Sequence, residues 1–134
     1  MESKGHILWA DDEIEMLKPH ILYLENKGYQ VTPVSTGEDA VNFCDDQNVD
    51  LVLLDEMMTG LDGLTTLKQI KEKHSTLPVI MITKNEEEWL MEEAIAAQIT
   101  NYLTKPVNPS QILIACKNVL ESRKIQSDWV AKDY

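Results

Sequence analysis

Three aspartates, a threonine and a lysine close the apolar runs of this 134-residue chain. Asp11 and Asp12 follow the run 6–10, Asp55 follows 49–54, Thr83 follows 77–82, and Lys105 follows 99–103. Each is ordinary on its own, since an Asp at a strand end most often caps a helix or faces solvent in a loop. Their chemistry changes if they meet. Three close carboxylates repel one another, and without a cation at least one keeps its proton to higher pH. A hard divalent cation removes that conflict. Mg2+ takes oxygen ligands, prefers six, and typically keeps waters beside one or two carboxylates and a phosphate oxygen. The absence of Cys and His at these run ends argues against zinc. A carboxylate beside such a cation can attack phosphorus and form an aspartyl phosphate. Transfer then depends on positioning and charge stabilisation more than on further covalent chemistry. The Thr83 hydroxyl can donate to one phosphoryl oxygen, and the Lys105 ammonium can neutralise another.

These residues meet only if the runs are neighbouring strands, and the pattern between them supports this. The runs at 6–10, 29–34, 49–54, 77–82 and 99–103 alternate with segments of helical periodicity. The first helical segment carries Ile14, Leu17, Ile21, Leu22 and Leu24 up to Gly28, with Pro19 inside it, where a missing backbone donor kinks or delays a helix. Thr36 is placed to cap a helix over 37–47, and Asp62 one with Leu64, Leu67 and Ile70 on its apolar face. Asn85 with Glu88 reads as a capping box. Asn108 and Pro109 open a last helix expected to run to about Ser122. Near-continuous apolar strands alternating with helices predict a parallel sheet covered on both faces, an α/β fold of five βα units. Ligands on such sheets bind beyond the carboxyl ends of the strands, where all five polar residues fall.

Composition sets outer bounds. The chain is 43% apolar and 26% charged, which reads as one globular domain. Twelve Lys and Arg against 23 Asp and Glu give a net charge of −11, unsuited to direct binding of nucleic acid or anionic membrane. No apolar run is long enough to span a membrane, and residues 1–6 carry no secretory signal, so a cytoplasmic location is expected. Cys44 and Cys116 suggest neither disulfide nor metal cluster and are expected to be small buried residues. His6, His20 and His74 show no metal-ligand spacing and are expected to be incidental. Trp9 is expected in the core, and Trp129 and Tyr134 outside it. Trp89 and Tyr102 are each as readily packing residues as functional ones.

As a set, Asp11-Asp12, Asp55, Thr83 and Lys105-Pro106 resemble the receiver domain of two-component response regulators, over about residues 5–122. The resemblance implies a doubly wound, flavodoxin-like sheet of order 2-1-3-4-5 (CheY-like). It also implies roles. Asp55 would be the phosphoacceptor. Mg2+ would be held by Asp55, by Asp12 directly, by Asp11 mainly through water and by the backbone carbonyl of Met57. Thr83 and Tyr102 would form the switch pair, and Lys105 would pair with the phosphoryl group, its bond to Pro106 being cis. A histidine kinase would be the phosphodonor. The face made by helix four, strand five and helix five, about 85–122, would carry output and a possible homodimer. Residues 13–22, 81–88 and 103–109 are further similar to PorX-type regulators, in which a receiver precedes an output domain of the alkaline-phosphatase superfamily. On that reading, 1–122 is the receiver, 123–134 is a helix extension or linker, and the chain is the N-terminal piece of a larger regulator.

Two departures stand out. Thr59 occupies a place where receivers commonly carry proline, which loosens the loop around Gly60. Lys84 follows the switch threonine where a small residue is common, and a long side chain there would shield a phosphoryl group from water. Three other readings stay open. A haloacid-dehalogenase-type phosphatase also uses a strand-end Asp with Mg2+, but Met57 stands where that chemistry needs an acid-base Asp. A flavin-binding module would need a Ser/Thr/Gly-rich loop where Asp11-Asp12-Glu13 stands. A receiver read out by binding, without phosphorylation, would keep all the same residues.

Overall fold

The computed structural model describes residues 3–84 and 86–132, with side chains up to residue 125. Five strands, β1 (His6–Ala10), β2 (Gln30–Val34), β3 (Leu51–Leu54), β4 (Val79–Thr83) and β5 (Asn101–Thr104), alternate with five helices. These are α1 (Lys18–Asn26), α2 (Gly37–Asp46), α3 (Gly63–Lys73), α4 (Glu88–Ala96) and α5 (Pro109–Lys132). All strand pairs are parallel, in the order β2-β1-β3-β4-β5. This is the doubly wound arrangement expected from the sequence.

The strands alternate their side chains between two cores. Ile7, Trp9, Leu51, Leu53, Ile80 and Ile82 face Leu24 of α1 and Ile112 and Cys116 of α5. Leu8, Ala10, Val52, Leu54, Val79 and Met81 face Ala40 and Cys44 of α2, Leu67 and Ile70 of α3 and Ala94 of α4. β1, β3 and β4 are therefore buried on both faces, which is why they read as unbroken apolar runs. Trp9 is in the core, and both cysteines are buried. Trp89 is exposed.

Helix starts follow local capping chemistry. Asp39 N–H donates to Thr36 Oγ1 at 3.1 Å, Thr65 N–H to Asp62 Oδ1 at 2.7 Å, and Gln111 N–H to Asn108 Oδ1 at 2.9 Å. Pro19 delays the first helix rather than kinking it. A 3-10 turn over Ile14–Leu17 comes first, and Pro19 sits in the opening turn of α1, where a missing N–H leaves no bond unmade. Two boundaries differ from expectation. The fourth helix starts at Glu88 with Glu87 at its N-cap, two residues later than a cap at Asn85 requires, and Asn85 lies outside the described residues. α5 continues past Ser122 to Lys132. The expected exposure of Trp129 and Tyr134 also falls outside the described side chains.

The turn from β3 into α3 brings the backbone close to Asp55. Gly63 N–H donates to Glu56 O at 2.8 Å, and a Cβ on Gly63 would crowd Asp55 O and lie 2.6 Å from Glu56 Cα. Both neighbours are backbone and cannot rotate away. Gly63→Ala is expected to lower stability by about 1–3 kcal/mol, the range for overpacking. Urea denaturation checks this, and an unchanged midpoint would contradict the close approach.

Candidate functional site: a carboxylate cluster at the sheet edge

The backbone ladder places the site. Asp11 N–H donates to Val34 O, Asp55 N–H to Ala10 O, and Lys105 N–H to Thr83 O, at 3.1, 3.0 and 2.9 Å. Each residue is thus held one step beyond its strand by the neighbouring strand's last carbonyls. Asp11, Asp12 and Asp55 each offer a carboxylate oxygen, and these oxygens lie within 4.8 Å of one another. Asp11 and Asp55 are 1% and 5% exposed, whereas Asp12 is open to solvent. Lys105 Nζ donates to Asp11 Oδ2 at 2.8 Å and to Asp55 Oδ2 at 3.2 Å. Asp11 Oδ1 also accepts Glu13 N–H at 2.8 Å, which fixes its rotamer.

Burial pushes the Asp55 carboxyl above its ordinary range, and the Asp11 charge adds to this while Lys105 opposes it. Burial works against the Lys105 ammonium, but its hydrogen bond to Asp11 and the attraction of Asp55 and Asp11 outweigh burial and raise it. One ammonium therefore pairs with two of the three carboxylates, and the site keeps a formal excess of two negative charges. An all-oxygen donor set with that excess fits a hard divalent cation.

The remaining expected residues lie around this cluster. Thr83 ends β4 and is fully buried. Tyr102 pairs in register with Met81, two residues before Thr104 pairs with Thr83, so Tyr102 and Thr83 share a sheet face. Burial raises the Tyr102 phenol, with Glu56 and Glu86 adding to the shift. Met57 is exposed, and its N–H reaches Asp55 Oδ1 at 3.4 Å. The Lys105–Pro106 bond is cis. Lys84 is exposed and lines, with Trp9, Asp11, His20 and Lys105, a cavity of about 430 Å3.

Two residues escaped the sequence reading. Glu56 is only 8% exposed, and its Oε2 accepts Leu64 N–H at 2.7 Å, capping α3 from across the loop. An eight-residue separation gives no local capping signal. Burial lifts its carboxyl to about 7. His20 is not incidental. It meets Trp9 edge to face, and its Nε2 bonds Val107 O at 3.0 Å, tying α1 to the segment behind Lys105. His6 and His74 are likewise bonded, His6 to Asn48 O and Thr32, His74 to Asp45.

The sequence matches the response regulator receiver domain family over residues 7–117. It is 35% identical over 118 residues to the transcriptional regulatory protein ResD of Bacillus subtilis, covering 88% of this chain and 49% of that protein. A receiver domain protein from Methanospirillum hungatei superposes with a TM-score of 0.87 at 24% identity, covering 91% of this chain and 98% of that one, a likeness of fold. The beryllofluoride-activated DrrB receiver domain superposes at 0.79 with 30% identity, covering 90% and 99%. This chain belongs to the response regulator receiver family. It is a phosphorylatable receiver signalling domain with an acidic pocket. It spans about half the length of the curated relatives it matches. Among the described residues, no helix is long and apolar enough to cross a membrane.

Glu56 makes stability depend on pH. Its carboxyl lies near 7 when folded against an ordinary 4.5, so its contribution is full below about 4.5 and is lost as pH rises through about 7. Glu56→Gln keeps an acceptor for Leu64 N–H but cannot titrate. In metal-free buffer, wild type should gain about 3 kcal/mol relative to Glu56→Gln as pH falls across that window. Urea titrations at several pH values check this, and a pH-independent difference would contradict it.

Proposed function

We propose that Asp55 is the phosphoacceptor and that Asp11, Asp12 and Asp55, with the Met57 carbonyl, hold Mg2+. The observation that carries this reading is the meeting of three carboxylates at the sheet edge, two of them bonded to the half-buried Lys105 ammonium. Asp55 contributes the attacking oxygen. A new O–P bond forms at Asp55 while the P–N bond of a phosphohistidine breaks, its electron pair passing to the imidazole nitrogen. When bound, Mg2+ would supply positive charge against the phosphoryl oxygens. Lys105 then exchanges carboxylate for phosphoryl oxygen as partner. Thr83 donates its hydroxyl to the same group, and Tyr102 turns inward behind it. A histidine kinase is the donor. These differential contacts bias a two-state equilibrium.

Intact-mass spectrometry after incubation with acetyl phosphate tests the reading. One added phosphoryl group is expected, dependent on Mg2+ and absent from Asp55→Ala. No added mass in a folded, Mg2+-binding protein would instead support a receiver read out by binding alone. Light scattering on the same sample tests the output face of α4, β5 and α5, since a doubled mass on phosphorylation is expected if that face pairs two copies.

The exposed Lys84 beside the site supports a long-lived phosphoryl state. Lys84→Ala is expected to dephosphorylate faster by several fold, and an unchanged or slower rate would refute the shielding role. For the output, ResD is named a transcriptional regulatory protein. The resemblance of 13–22, 81–88 and 103–109 to PorX-type regulators supports an alkaline-phosphatase-superfamily domain beyond the helix extension or linker 123–134 instead. The reading frame past Tyr134 decides, and a DNA-binding domain there would reject the PorX-type assignment.

A further inference from the structure

We infer that Glu38 is a positioning residue of the phosphoacceptor site, holding the loop 56–62 in place from the first turn of α2. The inference rests on the reading of Asp55 above and adds a residue which that reading does not contain. The loop leaves β3 directly behind Asp55 and carries Met57. Its base is closed by two bonds, Gly63 N–H to Glu56 O and Leu64 N–H to Glu56 Oε2. Nothing in those bonds fixes its tip, and no proline lies between Asp55 and Gly63 to stiffen it.

The tip is held from outside. Leu61 N–H donates to Glu38 Oε1 at 3.1 Å. Gly60 adopts a φ of +83°, and a Cβ there would lie 2.6 Å from Glu38 Oε1, so the carboxylate is pressed against the loop backbone. Gly37, the first residue of α2, comes so near that a Cβ would meet Leu61 Cβ at 2.9 Å and crowd Thr66. Two successive residues of α2 thus abut the loop. Among the described ion pairs none involves Glu38, so its carboxylate serves the backbone amide rather than a cation. Releasing the amide frees the segment that carries Met57, and a ligand that must be re-ordered on binding weakens the cation's hold.

A negative charge at a helix N-terminus also stabilises the helix, with no role for the loop. Three variants separate the roles. Glu38→Ala removes both acceptor and charge. Glu38→Gln keeps an acceptor and removes the charge. Asp39→Ala removes a charge from the same turn, and among the described residues the hydrogen bond of Asp39 to a side chain is that of its backbone N–H to Thr36. Amide exchange at Leu61, Mg2+ affinity by calorimetry and the thermal midpoint are measured for each. Glu38→Ala is expected to lose protection at Leu61 and bind Mg2+ about 3- to 10-fold more weakly, the effect of roughly one lost hydrogen bond. Glu38→Gln and Asp39→Ala are expected to stay within about twofold of wild type. Wild-type affinity in Glu38→Ala would overturn the inference. So would an equal loss in Glu38→Gln, which would assign the effect to charge. A wild type that binds no Mg2+ while Leu61 stays protected would overturn the Asp55 reading first, and the positioning role with it.

Discussion

Lys105 Nζ lies 2.8 Å from Asp11 and 3.2 Å from Asp55, and both carboxylates are almost wholly withdrawn from water. Two buried anions cannot stand that close without a cation, because desolvation and mutual repulsion both act against them. The rest of the fold is arranged around that requirement. Neighbouring strands hold Asp11, Asp55 and Lys105 by backbone bonds one step past their own ends. The two cores fix the strands. The ammonium can neutralise only part of the charge, so the cluster stays receptive to a divalent cation.

The loop between β3 and α3 is the second constraint. It must bring a backbone segment beside Asp55 while remaining an exposed connection. Glu56 closes its base from inside and Glu38 holds its tip from α2. Gly63 lets the chain pass against the Asp55 carbonyl. The carboxyl at the base is buried enough to hold its proton to about 7, so the loop is built partly from a group that is costly to ionise.

Much of this was legible in the sequence because it follows from burial and spacing. Strands covered on both faces must be apolar throughout, and the polar residue that ends such a run marks the sheet edge. Asp11, Asp12, Asp55, Thr83 and Lys105 all stood out on those terms. What escaped the sequence depends on distances that no local rule fixes. Glu56 looked like one more loop acid until α3 folded back over it. Glu38 and Leu61 are 23 positions apart and meet only when α2 and α3 pack side by side. His20 looked without role because its partner, Val107, lies 87 residues on. The late start of α4 and the length of α5 were missed because capping and periodicity set helix ends only loosely.

The central claim is that Asp55 and its neighbours form one site in which Lys105 changes partners. A crystal structure with Mg2+ and beryllofluoride tests this most directly. The account predicts the cation on Asp12, Asp55 and the Met57 carbonyl, the beryllofluoride on Asp55, and Lys105 Nζ turned towards it from Asp11. A cation bound elsewhere, or an Asp55 left bare with its bond to Lys105 intact, would contradict it.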